Sequence, residues 1–112
     1  MKKLIRDNIP KLAKESDRPI EYYIANEKEY KERVIDKIGE EAKELQEALT
    51  REDPKAIYNE LVDMYEILAA INNIFPWFNI YEAYDARDNK ARERGIFDKR
   101  YVGVFKDEDT DK

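Results

Sequence analysis

The sequence predicts an all-α fold, an antiparallel bundle of about four helices around a long helical hairpin, completed by dimerisation. Three observations lead there. Gly and Pro total seven in 112 residues, so helix breakers are sparse and fall at a few definite points. Two long stretches with a helical apolar period are joined by about four residues, 50–53, which makes them antiparallel neighbours. The second stretch is apolar on two sides, more than a chain of this length readily covers, and a second copy is the simplest cover.

Taken in order, residues 8–16 read as a short first helix, with Asn8 at the N-cap and Pro10 tolerated in the first turn. Arg18-Pro19 ends it, and residues 20–24 read as extended chain. Asn26 followed by Glu29 has the spacing of a capping box and opens a second helix that runs to about Leu49. Asp53-Pro54 places an N-cap before a proline at the first helical position, and the third helix is expected to run to the Phe75-Pro76 break. Asn79 and Glu82 repeat the capping-box spacing for a fourth helix, which Gly95 terminates. Residues 96–105 mix aromatic and basic side chains and read as extended. Residues 106–112 form a charged, mostly acidic tail expected to be disordered, so one domain is expected over 1–105.

Composition narrows the chemistry. The chain has no Cys and no His, which removes disulfides, thiolate and imidazole metal sites, Cys nucleophiles and His-based triads. Its one serine, Ser16, lies in a turn-like Glu-Ser-Asp-Arg-Pro stretch and argues against a serine hydrolase. Chemistry must therefore run on carboxylates, Lys, Arg, Tyr or a bound metal, with the oxygen-seeking ions Mg²⁺ and Mn²⁺ left open. No apolar run exceeds five residues and the Met-Lys-Lys start leads into Leu-Ile-Arg-Asp, so a cytoplasmic protein with no membrane partner is expected.

Charge is unevenly spread within a net of -5. Residues 1–20 and 87–100 each carry six basic and three acidic side chains, whereas residues 36–66 carry four basic and ten acidic ones. An acidic centre between basic arms does not suit a nucleic-acid polymer. It suits a cation in the middle and a phosphorylated small molecule reaching the arms.

The acids of the hairpin can be placed by helical period. Tyr30, Val34, Ile35, Ile38, Ala42, Leu45 and Leu49 form a stripe about 140° wide, the expected buried face, with Glu41 at its edge and Glu44 and Glu40 further round the same flank. On the third helix Ile57, Leu61, Met64, Tyr65, Leu68 and Phe75 make one face and Ile67, Ala70 and Ile74 a second. Glu60 and Asp63 stand in line with that second stripe. Counted from the middle of the loop, Glu44 matches Glu60 and Glu41 matches Asp63 to within about 1.5 Å of rise. Four carboxylates converging in this way would suit a hard divalent cation with open positions for water and phosphate. The plain alternative is solvated helix glutamates paired at i, i+4, as Lys37 with Glu41 or Lys43 with Glu47.

Glu40-Glu41-Ala42-Lys43-Glu44-Leu45 followed by Glu60-Leu61-Val62-Asp63 resembles the paired EExxE and ExxD motifs of the all-α nucleoside triphosphate pyrophosphohydrolases, the MazG-like and phosphoribosyl-ATP pyrophosphohydrolase-like superfamily. Lys3-Leu4-Ile5-Arg6-Asp7-Asn8-Ile9-Pro10 is similar to the KLVRDKIP opening of the second branch, and Arg92-Glu93-Arg94-Gly95-Ile96-Phe97 to its ERGGF close. The resemblance implies Mg²⁺-dependent hydrolysis of the α-β phosphate bond of a nucleotide, with Glu41, Glu44, Glu60 and Asp63 as metal ligands. Glu40 would then orient or deprotonate the attacking water. Asn8, Ile96 and Lys43 depart from the family pattern, the first two where substrate contacts are expected.

Arg87, Lys90 and Arg94 fall on one face of the fourth helix, a row that would meet a polyphosphate or complement the helix dipole, and Asn89 and Lys90 are similar to an Asn and Lys of other members. Arg6 is a further substrate candidate, with a surface ion pair as the alternative. Tyr22, Tyr23 and Trp77 would stack a base or, the stronger expectation, pack in a core or between subunits. The reading is thus a nucleotide pyrophosphohydrolase that dimerises. The alternative is a nucleotide or metal sensor, or a helical interaction module, without turnover.

Overall fold

The structure, a computed structural model, describes residues 1–106. Four α-helices account for its regular structure, α1 (Ile9–Glu15), α2 (Glu27–Arg51), α3 (Pro54–Ala69) and α4 (Ile80–Arg94), with a 3-10 turn over Ala70–Asn73 and no strand among the described residues. The all-α expectation holds. The tail expected from residue 106 lies, apart from Lys106, outside the described residues. No helix among the described residues is long and apolar enough to cross a membrane. The chain divides into two compact units, Met1–Phe78 and Asn79–Lys112.

Several helix ends follow the local signals. The Asn26 side chain accepts a hydrogen bond from the Glu29 amide at 2.8 Å and opens α2. The reciprocal half of the capping box is not made, because the Glu29 carboxylate accepts from the Tyr23 hydroxyl at 2.5 Å and from Arg33 at 3.0 Å instead. These two donors, Tyr23 first, hold the Glu29 pKa below its ordinary value. Asp53 caps α3 through the Ala56 amide with Pro54 at the first position, Asn79 caps α4 through the Tyr81 amide, and Gly95 ends α4 with φ of 82°. Asn8 occupies the N-cap of α1 but makes no side-chain cap bond, since its backbone is already helical.

Two expected bounds shift. The helix α2 runs two residues past Leu49, to Arg51, and the connection shrinks to Glu52 and Asp53. Glu52 adopts a left-handed φ of 55°, and the Asp53 amide reaches back to the Ala48 carbonyl at 3.4 Å, which closes the helix end. The third helix stops being α-helical at Ala69, short of the Phe75-Pro76 break, and tightens into the 3-10 turn. Pro76 has no N–H to give Asn72, and its ring crowds that carbonyl, so the last turn is closed by shorter bonds such as Ile74 to Ile71 at 3.0 Å. Residues 96–106 carry no strand.

The hairpin of α2 and α3 is the packed element of the first unit. Its buried apolar side chains are few: Val34, Ala48 and Ile67. The buried line on α2 is therefore Val34, Glu41 and Ala48, at i, i+7 and i+14, rotated from the expected stripe, and Ile35 and Leu49 are exposed. On α3 the stripe through Ile67 faces inward, while Tyr58, Val62 and Tyr65 are exposed. In the second unit α4 has no buried residue, and Ile96, Phe97, Tyr101, Val102 and Val104 are all exposed.

Candidate active site on the helical hairpin

With a two-residue connection, Glu41 and Asp63 still lie within one residue of equal distance from the turn, as do Glu44 and Glu60, a mismatch of about 1.5 Å in each pair. Carboxylate oxygens of Glu41, Glu60 and Asp63 lie within 4.8 Å of one another. Glu41 is at the centre of the buried face, not its edge as the periodicity suggests, and is only 4% exposed. The apolar period centres on Ile38, but the buried line through Val34, Glu41 and Ala48 lies about 60° round the helix from it.

Two of the three acids have a basic partner. Lys37 Nζ stands 3.4 Å from one oxygen of Glu41, while the other, Oε2, is buried with no partner, and so is Glu60 Oε2. Asp63 accepts from the Arg6 guanidinium at 2.8 Å. Buried, unpartnered carboxylate oxygens carry a desolvation penalty of several kcal/mol, about 1–3 kcal/mol or more each, unless a cation or donor meets them. Two such oxygens in one cluster, on an all-oxygen donor set, fit a hard divalent cation.

Glu44 stands just outside the three-residue cluster. Burial, then contact with Glu60 and the charges of Glu41 and Glu60, push its pKa up to about 7. Glu40 is half-buried and held by Lys37 at 3.4 Å and Lys3 at 3.6 Å. The expected pairing of Lys37 with Glu41 is thus present, but it satisfies one oxygen only.

The acids open onto a cleft of about 950 Å³ between the hairpin and the N-terminal segment, lined by Glu41, Asp63, Lys3, Arg6 and Lys37 among others. The segment is tied down at several points. Besides the Arg6 and Lys3 pairs, the Lys2 carbonyl accepts from Arg33 at 3.1 Å, and Lys2 Nζ lies 5.3 Å from the centre of the Tyr23 ring.

Arg87, Asn89, Lys90 and Arg94 lie on α4 in the second unit, all exposed. Arg87 pairs with Asp88 at 3.4 Å, and Asn89 accepts a hydrogen bond from Arg92. Tyr22, Tyr23 and Trp77 are exposed, which corrects the expectation of core packing within the chain. Trp77 is stacked on Phe75.

Sequence reasoning missed the contact of Lys3 with Glu40, and a hydrogen bond at 3.2 Å from the Asn73 amide to the Tyr30 hydroxyl. The second was within reach, since Tyr30 and Asn73 are equally far from the middle of residues 50–53. The first joins residues with no periodic relation.

A family model described as phosphoribosyl-ATP pyrophosphohydrolase matches residues 11–91, well over half of the chain. No curated protein and no solved structure matches it.

Proposed function

The chain belongs to the phosphoribosyl-ATP pyrophosphohydrolase family, within the MazG-like superfamily, and from that premise we propose that it hydrolyses the α-β phosphate bond of a nucleotide to a monophosphate and pyrophosphate, with Mg²⁺ as cofactor. The family makes it a hydrolase of phosphoric anhydrides acting on small nucleotides. The observation that supports the metal is the pair of unpartnered buried oxygens on Glu41 and Glu60 beside Asp63.

In this reading Glu41, Glu60 and Asp63 hold the ion, Glu44 joins them when it loses its proton, and Mn²⁺ serves as a substitute. When bound, such a cation makes water a better nucleophile near neutral pH and neutralises charge developing on phosphate oxygens. Glu40 orients the attacking water or takes its proton, and the nearby Lys3 and Lys37 hold its carboxylate in place. Arg6 exchanges Asp63 for a phosphate oxygen when substrate arrives. On the family resemblance, Arg87, Asn89, Lys90 and Arg94 are proposed as polyphosphate contacts. The exposed apolar side of the hairpin is proposed as a homodimer interface, and the cytoplasm as the protein's location.

The test is pyrophosphate release from NTPs, dNTPs and phosphoribosyl-ATP with Mg²⁺ present. Release from at least one of them, abolished in Glu41→Gln, is expected. Undiminished release in that variant would overturn the site.

A further inference from the structure

The cleft beside the hairpin has two chemically different ends. Glu41 to Tyr30 spans eleven residues of α2, about 16 Å, and Asp63 to Asn73 spans ten residues of α3 and its 3-10 turn. The near end carries the carboxylates with Lys3, Arg6 and Lys37. At the far end the Asn73 amide donates to the Tyr30 hydroxyl at 3.2 Å. Between them Leu4 and Ile5 on the N-terminal segment and Ile67 and Ala70 on the hairpin side supply apolar wall, interrupted on α3 by the exposed carboxylate of Glu66.

We propose that this cleft is the nucleoside pocket of the enzyme and that Asn73, positioned by Tyr30, contacts the base. The proposal rests on the pyrophosphohydrolase reading and adds to it where the base lies and what reads it. A nucleotide has the same order of chemistry as the cleft: a polyanion, then a largely apolar ring system, then a ring edge with donors and acceptors. The volume of about 950 Å³ falls within the range of small-molecule sites.

The amide is suited to the far end. Of its oxygen and two N–H groups, Tyr30 uses one N–H, which leaves an acceptor and a donor side by side. That pair is what an Asn side chain presents when it reads an adjacent amino group and ring nitrogen on a base. The hydroxyl of half-buried Tyr30 fixes which way the amide faces. Asn73 is exposed on the 3-10 turn, so its side chain can be shortened with little effect on folding.

Calorimetric titration with Mg²⁺ and the α,β-methylene analogues of ATP, GTP, CTP and UTP tests this, with inorganic tripolyphosphate as a probe that has no nucleoside. Asn73→Ala should weaken the best-bound analogue tenfold or more and leave tripolyphosphate within twofold. Tyr30→Phe, which keeps the ring, should narrow the spread of affinities among the four bases without changing tripolyphosphate binding. Wild-type analogue affinity in Asn73→Ala, or an equal loss of tripolyphosphate, would overturn the pocket while wild-type turnover leaves the reaction standing. A wild-type protein with neither turnover nor analogue binding would overturn the reaction itself, and the pocket with it.

Discussion

The two sides of the hairpin invert the usual rule of burial. Inside, Glu41 is 4% exposed and Glu60 and Asp63 are half-buried; outside, Ile35 and Val62 are each 57% exposed and Tyr58 and Tyr65 more so. An isolated domain optimised for stability would exchange these positions. In the proposed reading the inner side serves a cation and a phosphate, and the outer side holds the apolar area that another surface would cover. Stability and chemistry are thus assigned to opposite faces of the same two helices.

The sharpest way to break that contrast is Glu41→Gln. Loss of a carboxylate from the cluster should lower kcat/KM about a hundredfold or more. The same variant, unfolded by heat in EDTA, should melt at or above the wild-type temperature, because a buried charge has been removed. A lower melting point with full activity would show that the inner face is structural.

On the outer side, Val62→Glu should weaken association by tenfold or more, since a glutamate in an apolar interface loses about 2 kcal/mol of transfer free energy or more. Sedimentation should give a dimer for wild type and a monomer for the variant at equal concentration. A monomeric wild-type protein would remove the explanation for the exposed apolar face.

A smaller effect lies in pH. Glu44 has a folded pKa of about 7 against an ordinary 4.5, so between those values the folded chain binds more protons than the unfolded one. Its contribution to stability is fully present below about 4.5 and is lost as pH rises through 7. Chelated protein should therefore melt at a lower temperature at pH 8 than at pH 5.5, and Glu44→Gln should reduce that difference.

The smallest expected change is in Arg6→Gln. Its pair with Asp63 is half-exposed and so worth less than about 1 kcal/mol, which gives a two- to fivefold tightening of Mn²⁺ binding by electron paramagnetic resonance once the guanidinium no longer shares the carboxylate. Unchanged or weaker Mn²⁺ binding would mean that Arg6 and the cation do not compete for Asp63.

What could be read from the sequence was local or periodic. Asn26, Asp53-Pro54, Asn79 and Gly95 mark helix ends through bonds that span a few residues, and each is where it was expected. The convergence of Glu41 with Glu60 and Asp63 was legible because a short connection leaves the register little freedom. The depth of Glu41 was not, since it depends on which flank of α2 meets α3, and the leucines and isoleucines left outside pull the apparent centre of the stripe the wrong way. The pairing of Arg6 with Asp63 joins residues 57 apart in an irregular segment, where no period applies.

The connection at Glu52 and Asp53 touches none of the acids, yet it acts as their ruler. Exposed turns ordinarily accept insertions. Here one added residue would swing α3 by about 100° and carry Glu60 and Asp63 away from Glu41 without unfolding either helix. Length, in this turn, is held by a demand made two to three turns of helix away.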